Sequence, residues 1–211
     1  RQRQMCIRDS LNSAAIDEFM IIFLVAAKAK GISYFKDLSE LNKKLIKVIT
    51  EARKNNLLAM PNSNDNCWRS VYKYKCENEL LKPINLILSD YISHYFNKND
   101  MTCKILYWTN INGFGGGNLF HTHYRADCDL SGVYYIQGEG TGSIKFATHE
   151  QMYFMVSPNM PHSKMIAHEP KDGDILLFPS YLLHEVTVNT SSKNRITVGF
   201  NIKLDLQDSP K

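Results

Sequence analysis

From residue 103 onward the hydrophobic period is two. Alternating apolar and polar runs occupy 103–111, 130–137, 142–147, 151–157, 163–169, 174–179, 183–190 and 194–204, with Gly, Pro and Asn turns between them. A series of short strands with one interior face each leaves a sandwich or a jelly roll as the solution. Before residue 100 the period is helical. Leu38, Leu41, Leu45, Ile46, Val48 and Ile49 share a stripe within 35–56. Leu80, Leu81, Ile84, Leu86, Ile87, Tyr91, Ile92 and Tyr95 supply another over 78–97. The expected fold is mainly β (α+β), a jelly roll with N-terminal supporting helices. Pro83 is expected in the first turn of the second helix, or to kink it. Residues 57–76 read as loop, and His94 as a surface or packing residue.

No linker or internal repeat divides the chain. A single domain is expected over 13–211, helical through 100 and jelly roll over 101–205. Residues 1–12 show no periodicity and read as a non-native or disordered leader. The apolar run Phe19–Ala27 is shorter than the roughly 20 residues a bilayer requires. Asp17 and Glu18 directly before it argue against a signal peptide. The five cysteines form no CxxC pair, so neither a disulfide framework nor a zinc knuckle is indicated, and a reducing, cytoplasmic setting is expected. The net charge of +4 comes without a Lys/Arg block, so nothing signals nucleic-acid binding. Oligomeric state is not legible.

Chemistry concentrates between His121 and Arg195. His121 and His123 are two apart, and on one strand both would enter one cavity. Gly113, Gly115, Gly116 and Gly117 before them permit close approach of the chain. His184 follows an apolar run at a separation that a sandwich brings back to the first pair. Three imidazoles suit Fe(II), Zn, Cu or Ni. Arg195 alternates with Ile196, Val198 and Phe200, so it shares a face with Thr197 and Gly199. If that face is interior, the cation requires an anion, and a guanidinium beside a hydroxyl suits a carboxylate. If it is exterior, Arg195 is simply solvated.

These residues resemble those of the Fe(II)/2-oxoglutarate-dependent oxygenases, near the prolyl-4-hydroxylase-like branch. More narrowly, they are similar to a family of 2-oxoglutarate-Fe(II) oxygenases common in marine phages and bacteria. The resemblance runs over 103–204. It rests on Asn110-Ile111-Asn112, His121-Thr122-His123, Ser131-Gly132-Val133-Tyr134-Tyr135, Gly173 to Ser180, His184, and Arg195-Ile196-Thr197 leading to Phe200-Asn201. Asn66-Cys67-Trp68-Arg69-Ser70 is similar to the family's upstream loop. The resemblance implies a double-stranded β-helix and an enzyme that uses Fe(II), 2-oxoglutarate and O2, hydroxylating an unidentified substrate with release of succinate and CO2. It makes His121 and His184 metal ligands, with His123 where most relatives carry an Asp. Asp127 or Asp129 could supply the carboxylate instead. Arg195, Thr197, Tyr135 and Asn110 would hold 2-oxoglutarate. Trp68, Arg69, His162 and His168 are candidate substrate contacts. A phage-encoded enzyme would work in the host cytoplasm.

Two other readings use the same residues. Gly115, His121, His123 and Asp127 nearly satisfy the first motif of a non-oxygenase cupin, either an isomerase or a thiol-dioxygenase-like enzyme. That reading leaves Arg195 unexplained. A catalytically inactive jelly-roll binding module would also tolerate a third histidine in place of the usual carboxylate.

Overall fold

The computed structural model describes residues 32–57, 67–95, 101–147 and 165–206. The leader, the Phe19–Ala27 run, the strand expected at 151–157, His162 and the side chain of His94 lie outside the described residues. Among the described residues, no helix is long and apolar enough to cross a membrane.

Two helices lie against a pair of antiparallel sheets. Helix α1 (Ile32–Lys54) buries Asn42, Leu45, Ile49 and Ala52, spaced three and four apart as an amphipathic stripe requires. Helix α2 (Glu77–Tyr95) buries Leu80, Ile84, Ile87, Leu88 and Ile92. Glu77 and Glu79 in its first turn complement the helix dipole. Pro83 lies beyond that first turn, inside the helix, where its ring is buried.

The first sheet has five strands in the order β1 (Cys67–Ser70), β2 (Met101–Asn112), β9 (Arg195–Leu206), β4 (Leu130–Gln137) and β7 (Ile175–Pro179). The second has four, in the order β3 (Asn118–His121), β8 (His184–Val186), β5 (Ile144–Phe146) and β6 (Ile166–His168). Two of these strands do not follow from the sequence patterns. β1 falls within the expected loop, and β3 is only four residues long with no alternation to reveal it. β8 stops at Val186. Just beyond it, the Asn189 side chain takes over backbone partners, donating to Asn112 O at 3.0 Å and Lys193 O at 2.8 Å.

The period-two pattern divides the interior into two layers. Odd-numbered Ile111 on β2 and even-numbered Tyr134, Ile136, Ile196, Val198, Phe200 and Ile202 on β4 and β9 face the helices and form the larger core. Tyr135, Ile144, Phe146, Leu176, Phe178 and Leu182 form a smaller core between the sheets. Tyr134 ties α1 to the five-stranded sheet by donating its hydroxyl hydrogen to the Asn42 side-chain carbonyl. The remaining space between the sheets, toward β1, β2 and β3, is the site.

Candidate metal and cosubstrate site

A cavity of about 440 Å³ opens between the sheets. One wall is the inner face of the five-stranded sheet, and its register lays the site out in transverse rows. Arg69, Asn110, Thr197 and Tyr135 are successive partners across β1, β2, β9 and β4. Asn112 and Arg195 are paired in the next row, and Trp108 and Gly199 in the row on the other side. All eight line the cavity.

His121 and His184 are Cα partners across β3 and β8 on the opposite wall. His121 ends its strand, and His123 lies past it in the turn into a single 3₁₀ turn at Tyr124–Ala126. The two therefore do not share a strand face, as the spacing alone suggests. His123 is held by a backbone bond from its N–H to Ser180 O at 2.8 Å. The outcome is still convergence, since one ligand atom from each of the three imidazoles lies within 4.8 Å of the others.

Each imidazole is oriented through Nδ1. His121 Nδ1 lies 2.7 Å from Leu119 O, His184 Nδ1 lies 2.8 Å from Leu182 O, and His123 Nδ1 lies 2.8 Å from Asn201 Oδ1. A carbonyl oxygen only accepts, so each Nδ1 carries the proton and each Nε2 presents a lone pair. Asn201 is itself fixed by Ser131 Oγ, which donates to Oδ1 at 2.9 Å. Burial pushes all three imidazoles below their ordinary pKa, and His184 falls to about 3 with the further push of His121. Neutral, pre-oriented imidazoles are the form that binds a divalent ion. Neither aspartate joins them. Asp127 and Asp129 pair with Lys203 at 3.3 and 3.6 Å, and Asp129 Oδ2 also accepts the Leu204 N–H at 2.8 Å.

Arg195 is 2 % exposed. Its Nη1 donates to Thr141 O at 2.8 Å, and its Nη2 to Thr187 O at 2.9 Å and Gly116 O at 3.3 Å. Those are neutral acceptors. Among the described residues, no acidic side chain pairs with Arg195 or lines the cavity. Burial pushes its pKa down, and Tyr135 and Cys67 partly offset this. A buried cation with no counter-charge is costly, and an anionic ligand removes that cost. Tyr135 is buried beside it, and burial holds its phenol well above the usual range, so it remains a donor. Asn110 Nδ2 donates to Thr197 Oγ1 at 3.3 Å.

Two candidate substrate contacts are placed elsewhere. β1 alternates, so Cys67 and Arg69 face inward while Trp68 and Ser70 turn to the helices. Trp68 packs in the larger core and not in the cavity. His168 Nε2 pairs with Asp174 Oδ2 at 3.0 Å and is not a lining residue. Arg69 does line the cavity, its guanidinium carbon 4.5 Å from the Trp108 ring centroid. From sequence, Asn112 and Asn201 stand only within the motifs that carry the resemblance, with no role of their own, and Trp108 is not singled out, although all three continue the inward parity of Asn110 and Arg195.

Residues 106–201 match the family described as "Putative 2OG-Fe(II) oxygenase". That segment is a 2OG-Fe(II) oxygenase domain. Its class is the oxidoreductases, and the cofactors of such a domain are Fe(II), 2-oxoglutarate and O2. No curated protein matches the chain in sequence. Solved structures share the fold. A prolyl-4-hydroxylase of Pseudomonas putida is 13 % identical with a TM-score of 0.57, over 78 % of this chain and 87 % of that one. The carbocyclase SnoK of nogalamycin biosynthesis is 10 % identical with a TM-score of 0.60, over 94 % of this chain and 85 % of that one. HygX of Streptomyces hygroscopicus, solved with nickel and 2-oxoglutarate bound, is 9 % identical with a TM-score of 0.55, over 78 % of each chain. The oxygenase domain of this chain fits such a cofactor set. Its three Nε2 lone pairs suit a divalent ion, and its acid-free Arg195 suits the far carboxylate of a diacid.

Proposed function

We propose that this oxygenase hydroxylates an organic substrate, coupling that oxidation to conversion of 2-oxoglutarate into succinate and CO2. The observation that carries the reading is Arg195, a buried guanidinium without an acidic partner, lining the same cavity as three converging imidazoles.

His121, His123 and His184 would hold the ion through Nε2. Fe(II) bound there supplies the oxidative decarboxylation of 2-oxoglutarate by O2 that drives the hydroxylation. Arg195 binds the distal carboxylate, Thr197 and Tyr135 add hydroxyl donors, and Asn110 fixes the Thr197 hydroxyl. Asn201 keeps His123 in the tautomer that ligates. Phe178, Val133 and Ile144 line the cavity with apolar surface, which excludes water and strengthens the electrostatic contacts inside. Three neutral ligands leave the ion's full double charge in the cavity, unlike the two-histidine, one-carboxylate triad.

The test is an anaerobic titration of the full chain with Fe(II) and 2-oxoglutarate. A weak visible charge-transfer band is expected for the native sequence and is lost in Arg195→Ala. Succinate should form when O2 is admitted. Absence of the band in the native chain would overturn the reading, as would its survival unchanged in Arg195→Ala.

A further inference from the structure

Arg69 is a second cation of the cavity, and the cosubstrate reading does not use it. It stands on edge strand β1, across from Asn110. Its guanidinium leans over Trp108, in the row beyond Asn110, whereas Arg195 pairs with Asn112 in the row before it. Neighbouring strands lie about 4.8 Å apart and residues two apart along a strand lie about 7 Å apart, so Arg69 and Arg195 start from well-separated points and then diverge. Arg69 is on the histidine side. Trp108, under its guanidinium, has its ring centroid 5.7 Å from that of His123.

The side chain is also incomplete in its bonding. Arg69 Nε is buried with no hydrogen-bond partner, and among the described residues no acid pairs with the group. The Trp108 ring covers one side of the planar fork, its centroid 4.5 Å from the guanidinium carbon. Charge balance points the same way. On the proposed function, a divalent ion, Arg195 and Arg69 place four positive charges in a cavity whose described lining holds no acid. The two carboxylates of 2-oxoglutarate answer two of them.

We infer that Arg69 is the substrate-recognition residue, and that the substrate presents a carboxylate to its guanidinium beside Trp108. A carboxylate matches one guanidinium edge with two parallel hydrogen bonds. A phosphate recruits several donors, and the described lining offers no further cation on that side. The inference rests on the proposed function and gives its substrate class: an acid oxidised at a carbon within reach of the histidine cluster.

The full chain, loaded with Ni(II) and saturating 2-oxoglutarate, would be titrated with benzoate and with its neutral isostere benzamide, following tryptophan fluorescence. Saturable benzoate binding is expected, at least about tenfold tighter than benzamide, as one charge-assisted hydrogen bond implies. Arg69→Gln should abolish the preference and Arg69→Lys retain part of it, with unfolding midpoints verifying that both variants fold. Equal binding of the two probes would overturn the inference, as would an unchanged preference in Arg69→Gln or tighter binding of phenyl phosphate than of benzoate. The native chain's charge-transfer band reports separately on the oxygenase reading, so either can fail without the other.

Discussion

Gly142 and Arg195 are packed so closely that a Cβ added to the glycine would stand 3.3 Å from Arg195 Nη1 and 2.6 Å from Thr187 Oγ1. The glycine φ is +99°, a region that side chains rarely adopt. Gly142→Ala is expected to cost about 1–3 kcal/mol in urea unfolding, the range for a strained backbone residue. It should also weaken 2-oxoglutarate binding, because the carbonyls that aim Arg195 must shift.

Arg195→Lys keeps the charge but cannot reach three carbonyls and a carboxylate at once. Calorimetry on the Ni(II)-loaded protein should find 2-oxoglutarate affinity lower by about ten- to a hundredfold, the equivalent of one or two charged hydrogen bonds.

Asn201 holds His123 from behind, and its removal leaves Nδ1–H without an acceptor. Competition against a chromophoric chelator should show metal affinity reduced about 10–100-fold in Asn201→Ala. Asn201→Asp restores the acceptor and adds a negative charge, so it should bind the metal at least as tightly as the native chain.

Tyr134→Phe should destabilise the fold by about 1–3 kcal/mol, because the buried Asn42 carbonyl loses its donor and α1 loses its polar tie to the sheet. Urea midpoints of the two proteins measure this directly.

Asp172 supplies a pH dependence. Burial alone would push its carboxyl up. The N–H groups of Glu139 and Gly138 and the Lys193 ammonium outweigh that and hold it below the ordinary value. A depressed folded pKa gives stability that is complete above the unfolded value of about 3.9 and is lost as pH falls through the lower folded value. Urea midpoints of native and Asp172→Asn proteins should differ by a constant amount above pH ~4 and converge below it.

Period two was strong enough in the sequence to locate most strands of the roll, and β4 and β9 came out nearly to the residue because both faces of each are specified. β1 and β3 were not legible. Each has only four residues, and in β3 two of the exposed positions are Leu119 and Phe120, which erases the alternation. The three histidines and Arg195 could be named because their chemistry is unusual for an interior. Asn201 and Trp108 share their parity, but an amide or an indole on an inner face is ordinary, so no role could be read for Asn201 beyond its place in a motif, and Trp108 was not set apart. Trp68 and Arg69 show the limit of the pattern. A tryptophan after a polar loop reads first as a core plug and second as a substrate contact, and one step along the strand from inward-facing Arg69 sends Trp68 into the larger core.

The row of Arg69, Asn110, Thr197 and Tyr135 has a consequence for how this protein can fail. Those four side chains line one cavity only because four strands keep one alignment, and the same alignment turns Ile111, Val198 and Tyr134 toward the helices. Sliding β9 by a single position would expel the binding groups and simultaneously drag grease into the cavity and charge into the core. A population of intact but wrongly wired molecules is therefore not expected, and the fraction able to hold ligand should track the fraction folded.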